Sequence, residues 1–276
     1  MSGTLEITIL GCGSSGGVPR ADGDWGVCDP AEPKNYRTRC SLLVRRKAAE
    51  PGGPETTVLV DTSPDLRAQT AAAGVKRLDA ILLSHDHADQ THGIDDVRAF
   101  FIRQRARIPC LMDAGTFATM MVRFGYIFKG EGGYPSICDA RSLPDHGSTW
   151  LVEGPSGAIP VLSFDQDHGH GVRSTGFRFG GVAYSSDVVD LDDAAFEALQ
   201  GLDVWIVDAL RWNPHPTHAH VEKTLQWIAR ARPKRAILTN MHIDLDYRTL
   251  LGQLPAGVEP AYDGFRFEVP LGAEIP

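Results

Sequence analysis

A histidine- and aspartate-rich segment that follows an apolar strand constrains this chain of 276 residues more than any other feature. The segment reads SHDHADQTHG over residues 84–93, directly after the apolar run at 80–83. Residues two apart in an extended chain point the same way, so His85 and His87 can face one metal ion together. Asp89 can reach the same pocket from the turn into a following helix. The pattern therefore predicts a metal site.

Two other interpretations of this segment need to be weighed. The histidines are not four residues apart as in a helical zinc-protease motif, which excludes that chemistry here. A polar loop whose histidines cap a helix or pair with carboxylates is the simpler alternative. The strand before the segment and the aspartate at the next even position favour metal binding over that alternative.

Eight of the ten histidines fall in three short windows of the chain. The windows hold His85, His87 and His92, then His168 and His170, and finally His215, His218 and His220. Imidazole is a common metal ligand and proton carrier, so this clustering predicts metal or phosphate chemistry.

Strand-like and helix-like segments alternate along the chain, with no domain boundary or internal repeat between them. Short apolar or alternating runs predict strands at 5–10, 41–44, 57–60, 80–83, 161–164, 177–179, 182–184, 204–207 and 236–238. Helices are predicted at 64–74, with Ser63 as N-cap and Pro64 at its first position, and at 193–200 and 220–231. This order predicts an α/β fold in which helices cover two sheets, as a single domain over 1–276.

Two segments lack a periodic pattern. Residues 13–35 are rich in glycine, proline and charge, and residues 130–157 are also irregular. Long loops of this kind often form binding elements or lids, so we predict a long loop in both places.

Composition narrows the partners and the compartment. The chain has 35 acidic and 27 basic residues and a formal net charge of -8, which disfavours polynucleotides and anionic membranes as partners. No apolar run approaches the length of about 20 residues that crosses a bilayer, and no secretory signal is recognisable at the start. The five cysteines are scattered without a CxxC pair, which predicts reduced thiols rather than disulfides or a cysteine zinc site. We therefore expect a cytoplasmic protein.

The segment at 84–93 resembles the signature of the metallo-β-lactamase superfamily, HxHxDH followed by a glycine. His85, His87, Asp89 and Gly93 match that signature in register, and the resemblance extends over nearly the whole chain. It implies a four-layer αββα sandwich of two mixed sheets flanked by helices. Asp61, after the preceding strand, resembles the aspartate that supports the metal loop in this fold, although a helix-capping aspartate is the alternative.

The resemblance implies further metal ligands at the ends of later strands. His168 resembles the third imidazole ligand, and His170 is the alternative. If His168 is the ligand, His170 is expected to lie next to the ligands. Asp187 resembles the carboxylate that bridges two ions, and His242 resembles the last ligand. The implied cofactor is one or two divalent ions, manganese or zinc.

One position departs from the superfamily signature. Gln90 stands where the signature has a histidine for the second ion. An amide oxygen binds a first-row transition ion more weakly than imidazole does, so the second ion is expected to be weak or held by Gln90 directly or through water. His92 lies past the motif position and is expected to line the pocket.

Three short segments resemble the phosphodiesterase branch of the superfamily, which includes phosphoribosyl cyclic phosphodiesterases and tRNA 3′-processing endonucleases. They are the glycine-rich opening LGCGSSGGVP, the segment PHPTHAH at 214–220 and the closing YDGF at 262–265. By this resemblance His218 is the general acid, and His220 frames the pocket. The cysteine cluster that the phosphonate-pathway enzymes have shortly after the glycine-rich segment is missing, since that stretch has only Cys28 and Cys40.

The resemblance implies a metal-dependent phosphodiesterase that acts on a small cyclic ribose or nucleotide phosphodiester. A metal-activated hydroxide, positioned with Asp89, would attack phosphorus while His218 protonates the leaving oxygen. Two alternatives remain open, namely an acyl hydrolase of the lactonase or thioesterase type and a noncatalytic metal- or nucleotide-binding protein. We expect the partner to be a small-molecule substrate, and we expect neither a membrane nor a polynucleotide as partner. Whether the chain forms a homodimer is left open.

Overall fold

The computed structural model describes residues 3–272, and its strands form two mixed sheets with seven strands each in that range. The first sheet has, in spatial order, β14 (Phe265–Pro270), β1 (Thr4–Gly11), β2 (Ser41–Arg46), β3 (Thr56–Val60), β4 (Ala80–Leu82), β5 (Ile108–Met112) and β6 (Cys138–Ser142). Neighbours are antiparallel from β14 to β3 and parallel from β3 to β6.

The second sheet repeats this arrangement. Its spatial order is β13 (Val258–Pro260), β12 (Arg235–Thr239), β11 (Val204–Asp208), β10 (Val182–Ser185), β9 (Arg173–Phe179), β8 (Ile159–Asp167) and β7 (Thr149–Val152). Neighbours are antiparallel from β7 to β10 and parallel from β10 to β13. Parallel neighbours place the ends of successive strands at one edge, which is where polar residues can gather.

Helices join the strands. They are α1 (Leu66–Ala72), α2 (Ala88–Thr91), α3 (Arg98–Gln104), α4 (Ala114–Lys129), α5 (Asp193–Ala198), α6 (Val221–Ala231) and α7 (Tyr247–Gln253). Short 3-10 turns cover Pro33–Asn35 and Ile94–Val97. Within residues 3–272, no helix combines the length and the apolar character that crossing a bilayer requires.

Alternation along the strands of the first sheet divides the core into two clusters. Val58 and Val60 pack in the larger cluster, which also contains residues of the second sheet and of the last three helices, α5 to α7. Leu59, between them, packs in the other cluster with residues of the helices α1, α3 and α4. Because both faces of the sheet are buried in this way, the chain forms four layers, helix, sheet, sheet and helix, as the family resemblance implies.

The structure corrects two local predictions and agrees with a third. The first helix begins at Leu66 rather than at Pro64, and Asp65 is its N-cap residue; the Ser63 hydroxyl instead accepts from the Asp65 N–H in a tight turn. The segment 130–157 is not only loop, since it contains the edge strands β6 and β7. The predicted loop at 13–35 is interrupted only by the 3-10 turn at its end and by single bridges.

The five cysteines are buried and free in the described part of the chain. Burial is the main reason that the pKa of Cys12, Cys40 and Cys110 is raised. Thiols of this kind behave as small apolar side chains.

Candidate metal centre

Strand ends from both sheets meet at one edge of the sandwich. The first sheet contributes the segment after β4, with His85 and His87. The second sheet contributes His168 after β8 and Asp187 after β10. The site is therefore built between the two halves of the fold.

Three imidazoles form the first potential ligand group. Nitrogen atoms of His85, His87 and His168 all lie within 4.8 Å of one another, and 3.3 Å separates His168 Nε2 from His87 Nδ1. The His85 Nε2 atom is buried and has no hydrogen-bond partner among the described residues. An unpartnered buried nitrogen facing two other imidazoles fits a metal ion, since three neutral imidazoles offer lone pairs to one cation.

The protonation state of His85 suits this role. Burial is the main cause that lowers the pKa of His85 to about 3, and the neighbouring imidazoles add to it against the opposing charge of Asp187. His85 is therefore neutral at physiological pH. A neutral imidazole is the form that binds a metal.

Hydrogen bonds to the opposite ring nitrogens orient two of these histidines. The Ser84 hydroxyl lies 3.0 Å from His85 Nδ1 and donates to Asp61 Oδ2 over 2.9 Å, while Asp61 Oδ1 accepts from the Ser84 N–H. His168 Nδ1 donates to the Thr217 carbonyl oxygen over 2.8 Å, which leaves Nε2 free for the centre. Such partners fix the tautomer and direction of metal-binding histidines.

A second group shares His168 and adds Asp187 and His218, with ligand atoms again within 4.8 Å of one another. His218 Nδ1 lies 2.8 Å from Oδ2 of the buried Asp208, at the end of β11. Burial lowers the pKa of His218, but the Asp208 carboxylate outweighs it and raises that pKa to about 9. His218 thus carries a proton at neutral pH, within reach of the same centre.

Asp89 and Asp187 face each other across Gln90. The Gln90 Nε2 group donates to Asp187 Oδ2 over 3.0 Å and to Asp89 Oδ2 over 3.3 Å. Burial and the Asp187 charge raise the pKa of Asp89 to about 6. Burial also opposes ionisation of Asp187, but His85, His218 and His168 lower its pKa. Asp187 is therefore the more acidic carboxyl of the two.

Other predicted site residues lie apart from these groups. His242 Nε2 contacts Arg20 Nη2, and His242 Nδ1 lies 3.1 Å from Asp244 Oδ2. His92 is exposed beside the Phe124 ring, and His170 is exposed with a left-handed backbone. His220 is the N-cap residue of α6 without a side-chain capping bond. The structure thus brings His168 rather than His170 to His85 and His87, and it places His242 next to an arginine.

A cavity of about 310 Å³ opens beside the centre. His218 and His242 line it together with Arg20, Arg211 and the glycine-rich segment 14–16. The Arg211 guanidinium is held by the carbonyl oxygens of Asn213 and Pro214. Two guanidinium groups beside a histidine cluster favour an anionic ligand.

Sequence reasoning missed Asp208, Arg20 and Ser84. Asp208 follows the predicted strand 204–207 at its carboxyl end, the position that also gave Asp61 and Asp187, so the same rule could have found it. Ser84 precedes His85 directly. Arg20 lies in the long loop 13–35, where no periodic pattern indicates which side chain turns inward.

The comparisons with known proteins agree on one fold family. Residues 56–243 match the family model described as a beta-lactamase superfamily domain. A crystal structure described as a new diphosphatase from the PhnP family is similar over 98% of this chain and 99% of that chain, with 32% identity and a TM-score of 0.82. Zn²⁺-bound PqqB from Methylobacterium extorquens is similar over 95% of this chain and 99% of that chain, with a TM-score of 0.69 and 17% identity. The second likeness concerns the fold alone.

A curated relative has a different name. A Porphyromonas gingivalis (strain ATCC BAA-308 / W83) protein named octanoyltransferase is 27% identical over an alignment 272 residues long, which covers 94% of this chain and 51% of that protein. The chain thus spans about half the length of this relative.

Proposed function

Because the chain belongs to the beta-lactamase superfamily, we propose that it is a metal-dependent hydrolase of small phosphodiesters or diphosphates, of the cyclic ribose or nucleotide type. The observation that carries this proposal is the imidazole cluster of His85, His87 and His168 beside a cavity with two guanidinium groups. The relative described as a diphosphatase supports phosphorus as the electrophile.

Four side chains would hold the first ion, namely His85, His87, His168 and Asp187. Nitrogen and oxygen donors suit manganese and zinc alike, and the supply of metal decides between them. When bound, the ion would polarise a phosphoryl oxygen and lower the pKa of a coordinated water to about 7. The buried free cysteines fit a reducing compartment, so we place the protein in the cytoplasm.

His218 is the proton donor in this proposal. Its imidazole is protonated at neutral pH because of Asp208, and it lines the cavity where the leaving group would lie. A protonated donor helps most when the leaving oxygen is a poor one, such as a ribose hydroxyl.

The cavity would bind the phosphate of the substrate and supply positive charge to it. Arg20 and Arg211 would pair with phosphate oxygens, and a guanidinium can do so through two parallel hydrogen bonds. The segment 14–16 forms part of the cavity wall. The Ser14 N–H donates to the Met241 carbonyl oxygen, so the N–H groups of Ser15 and Gly16 would be the ones offered to a phosphate.

The test is a hydrolysis panel with purified protein in MnCl₂ or ZnCl₂. It compares bis(p-nitrophenyl) phosphate, a ribose cyclic phosphate and a dinucleotide diphosphate with a lactone and a thioester. We expect turnover of the phosphorus compounds, none of it in His85→Ala, and unchanged turnover in His146→Ala, whose imidazole bonds to Ser163 outside both ligand groups. Preference for the lactone or thioester would replace the proposal by an acyl hydrolase. Metal binding without any turnover would replace it by a binding protein.

The leaving group tests His218 separately. His218→Gln should lower kcat on the ribose cyclic phosphate about 100- to 10,000-fold. It should leave p-nitrophenol release much less affected, because that leaving group needs no proton. An equal loss on both substrates would contradict the role of proton donor.

A further inference from the structure

Gln90 occupies the space between the two carboxylates that a second ion would need. Its side chain is completely buried, and its Nε2 group donates to Asp187 Oδ2 and Asp89 Oδ2 over 3.0 and 3.3 Å. A cation that bound both oxygens would have to displace these N–H groups or turn the amide over. The amide oxygen that would then face the ion is a weaker ligand for a transition metal than imidazole.

Arg20 contacts a ring nitrogen of His242, the residue that the family resemblance gives as the last metal ligand. Asp244 Oδ2 lies 3.1 Å from His242 Nδ1. The other ring nitrogen, Nε2, contacts Arg20 Nη2, and because a guanidinium can only donate, Nε2 is the acceptor in this contact. A guanidinium stays charged at any physiological pH, so it both uses the lone pair and repels a second cation.

Taking these contacts together, we propose that this chain holds a single metal ion and that the Gln90 amide and the Arg20 guanidinium take the place of a second one. The inference rests on the metal centre of the proposed function. The ion would be held by His85, His87 and His168 with Asp187 beside them, and the second positive charge would be that of the Arg20 guanidinium, which contacts His242.

This arrangement changes what the protein needs from its substrate. Arg20 lies in the wall of the cavity, where its guanidinium would be available to an anionic oxygen of the substrate. The charge that a second ion would supply at millimolar metal is present here at any metal concentration. Activity should then follow the occupancy of one site, with one hyperbolic phase in a metal titration.

The experiment is a count of bound manganese. Wild-type protein is freed of metal, dialysed to equilibrium against MnCl₂ at saturating concentration and analysed for metal and protein content. We expect one ion per chain in wild type and two in the double variant Gln90→His with Arg20→Ala. Arg211→Ala is the matched control for the metal count, because it removes the same charge from the same cavity without the contact to His242.

Electron paramagnetic resonance gives an independent readout on the same samples. Two manganese ions that share Asp187 are spin-coupled, whereas one ion gives an uncoupled signal, so only the double variant should show coupling. Two ions in wild type would overturn the inference, whether or not the double variant folds. A folded double variant that keeps one ion would also overturn it. Absence of any ion from wild type would overturn the proposed metal centre as well.

Discussion

His218 and Asp208 form a buried pair, with 2.8 Å between Nδ1 and Oδ2, and Asn240 Nδ2 donates to the same carboxylate oxygen over 3.3 Å. Burial opposes both charges. It raises the pKa of Asp208 against the pull of His218, while the carboxylate brings the pKa of His218 to about 9 against its burial. The His218–Asp208 pair is therefore most stable when one proton lies between the two side chains.

This pair predicts a pH dependence of stability in metal-free protein. The pKa of His218 is about 9 in the folded chain and about 6.5 when unfolded, so its stabilisation is complete below 6.5 and is lost as pH rises through 9. The loss amounts to about 3 kcal/mol at most. Urea unfolding in chelator from pH 6 to 10 measures it.

Asp208→Asn is the comparison for that measurement. The amide keeps the shape of the side chain and removes the charge that raises the pKa, so the stability of the variant should change less over the same pH range. Parallel curves for wild type and Asp208→Asn would show that the pair does not retain the proton.

Ser84 supports the centre through another residue, since its hydroxyl joins Asp61 to His85 Nδ1. We expect Ser84→Ala to weaken manganese binding about 10- to 100-fold, because a ligand without its hydrogen-bonded partner loses orientation. Competition with a metal-binding dye measures the affinity. Ser156→Ala is the control, because its hydroxyl bonds to Arg46 and Thr56 away from the centre. Equal affinities of Ser84→Ala and wild type would exclude this positioning role.

At the scale of the elements, the site consists of strand ends that turn sharply. Asp61, Asp187 and Asn240 have φ values of 61°, 55° and 60°, and each follows the end of a strand. Aspartate and asparagine tolerate this left-handed backbone better than other residues with a side chain. This preference accounts for acidic or amide residues at these turns. The sequence prediction of Asp61 and Asp187 as site residues came from the family resemblance.

Residues outside this rule were not predictable from local pattern. Arg20 meets His242 across 222 positions of the chain, and nothing in the sequence around either residue encodes that contact. The edge strands β6 and β7 were missed for a related reason. Only Cys138 in the first and Val152 in the second are buried, so neither strand has an alternating apolar face.

The closing segment 262–265 shows how a motif can be structural as well. The Asp263 carboxylate accepts hydrogen bonds from the N–H groups of Cys12 and Thr38, over 3.1 and 2.7 Å. It thereby holds the end of β1 next to the segment that leads into β2. The glycine-rich segment of the cavity wall begins at this point, so Asp263 acts on the cavity through the backbone.

The segment 84–93, which contains His85 and His87, contacts the residues after β3 at Gly93. The Gly93 N–H donates to Thr62, and a Cβ added here would lie 1.9 Å from the Ser63 carbonyl oxygen and 2.9 Å from Leu66 Cβ. Since backbone atoms cannot rotate away, Gly93→Ala should lower the free energy of unfolding by about 1–3 kcal/mol. It should also weaken metal binding, because the loop must move.

Gly252→Ala is the control for that change, as measured by urea unfolding and by dye competition. An added Cβ at Gly252 meets nothing within 4 Å, and alanine is favoured over glycine in a helix by about 1 kcal/mol. This variant should be as stable as wild type or slightly more stable. If Gly93→Ala were as stable as wild type, the inference that a Cβ at Gly93 collides with Ser63 and Leu66 would be wrong.

At the scale of the whole molecule, the order of strands and helices was largely predictable, because both sheets bury runs of β-branched and aliphatic residues between turns. The pairing of the two halves across the inner core does not follow from those runs, and only the family resemblance predicted it. Long-range pairing depends on which faces meet in three dimensions, and periodicity describes only one element at a time.

The centre takes its ligand groups from both sheets, so a bound ion should hold the two halves of the fold together. Binding to the folded state alone stabilises it by about 2.7 kcal/mol at a concentration 100 times Kd. For a chain of this size, that corresponds to an increase in Tm of about 5–10 °C. Thermal unfolding with MnCl₂ and with chelator measures the difference. His85→Ala should lose the increase, whereas His146→Ala should keep it, and an equal increase in wild type and His85→Ala would mean that manganese binds elsewhere.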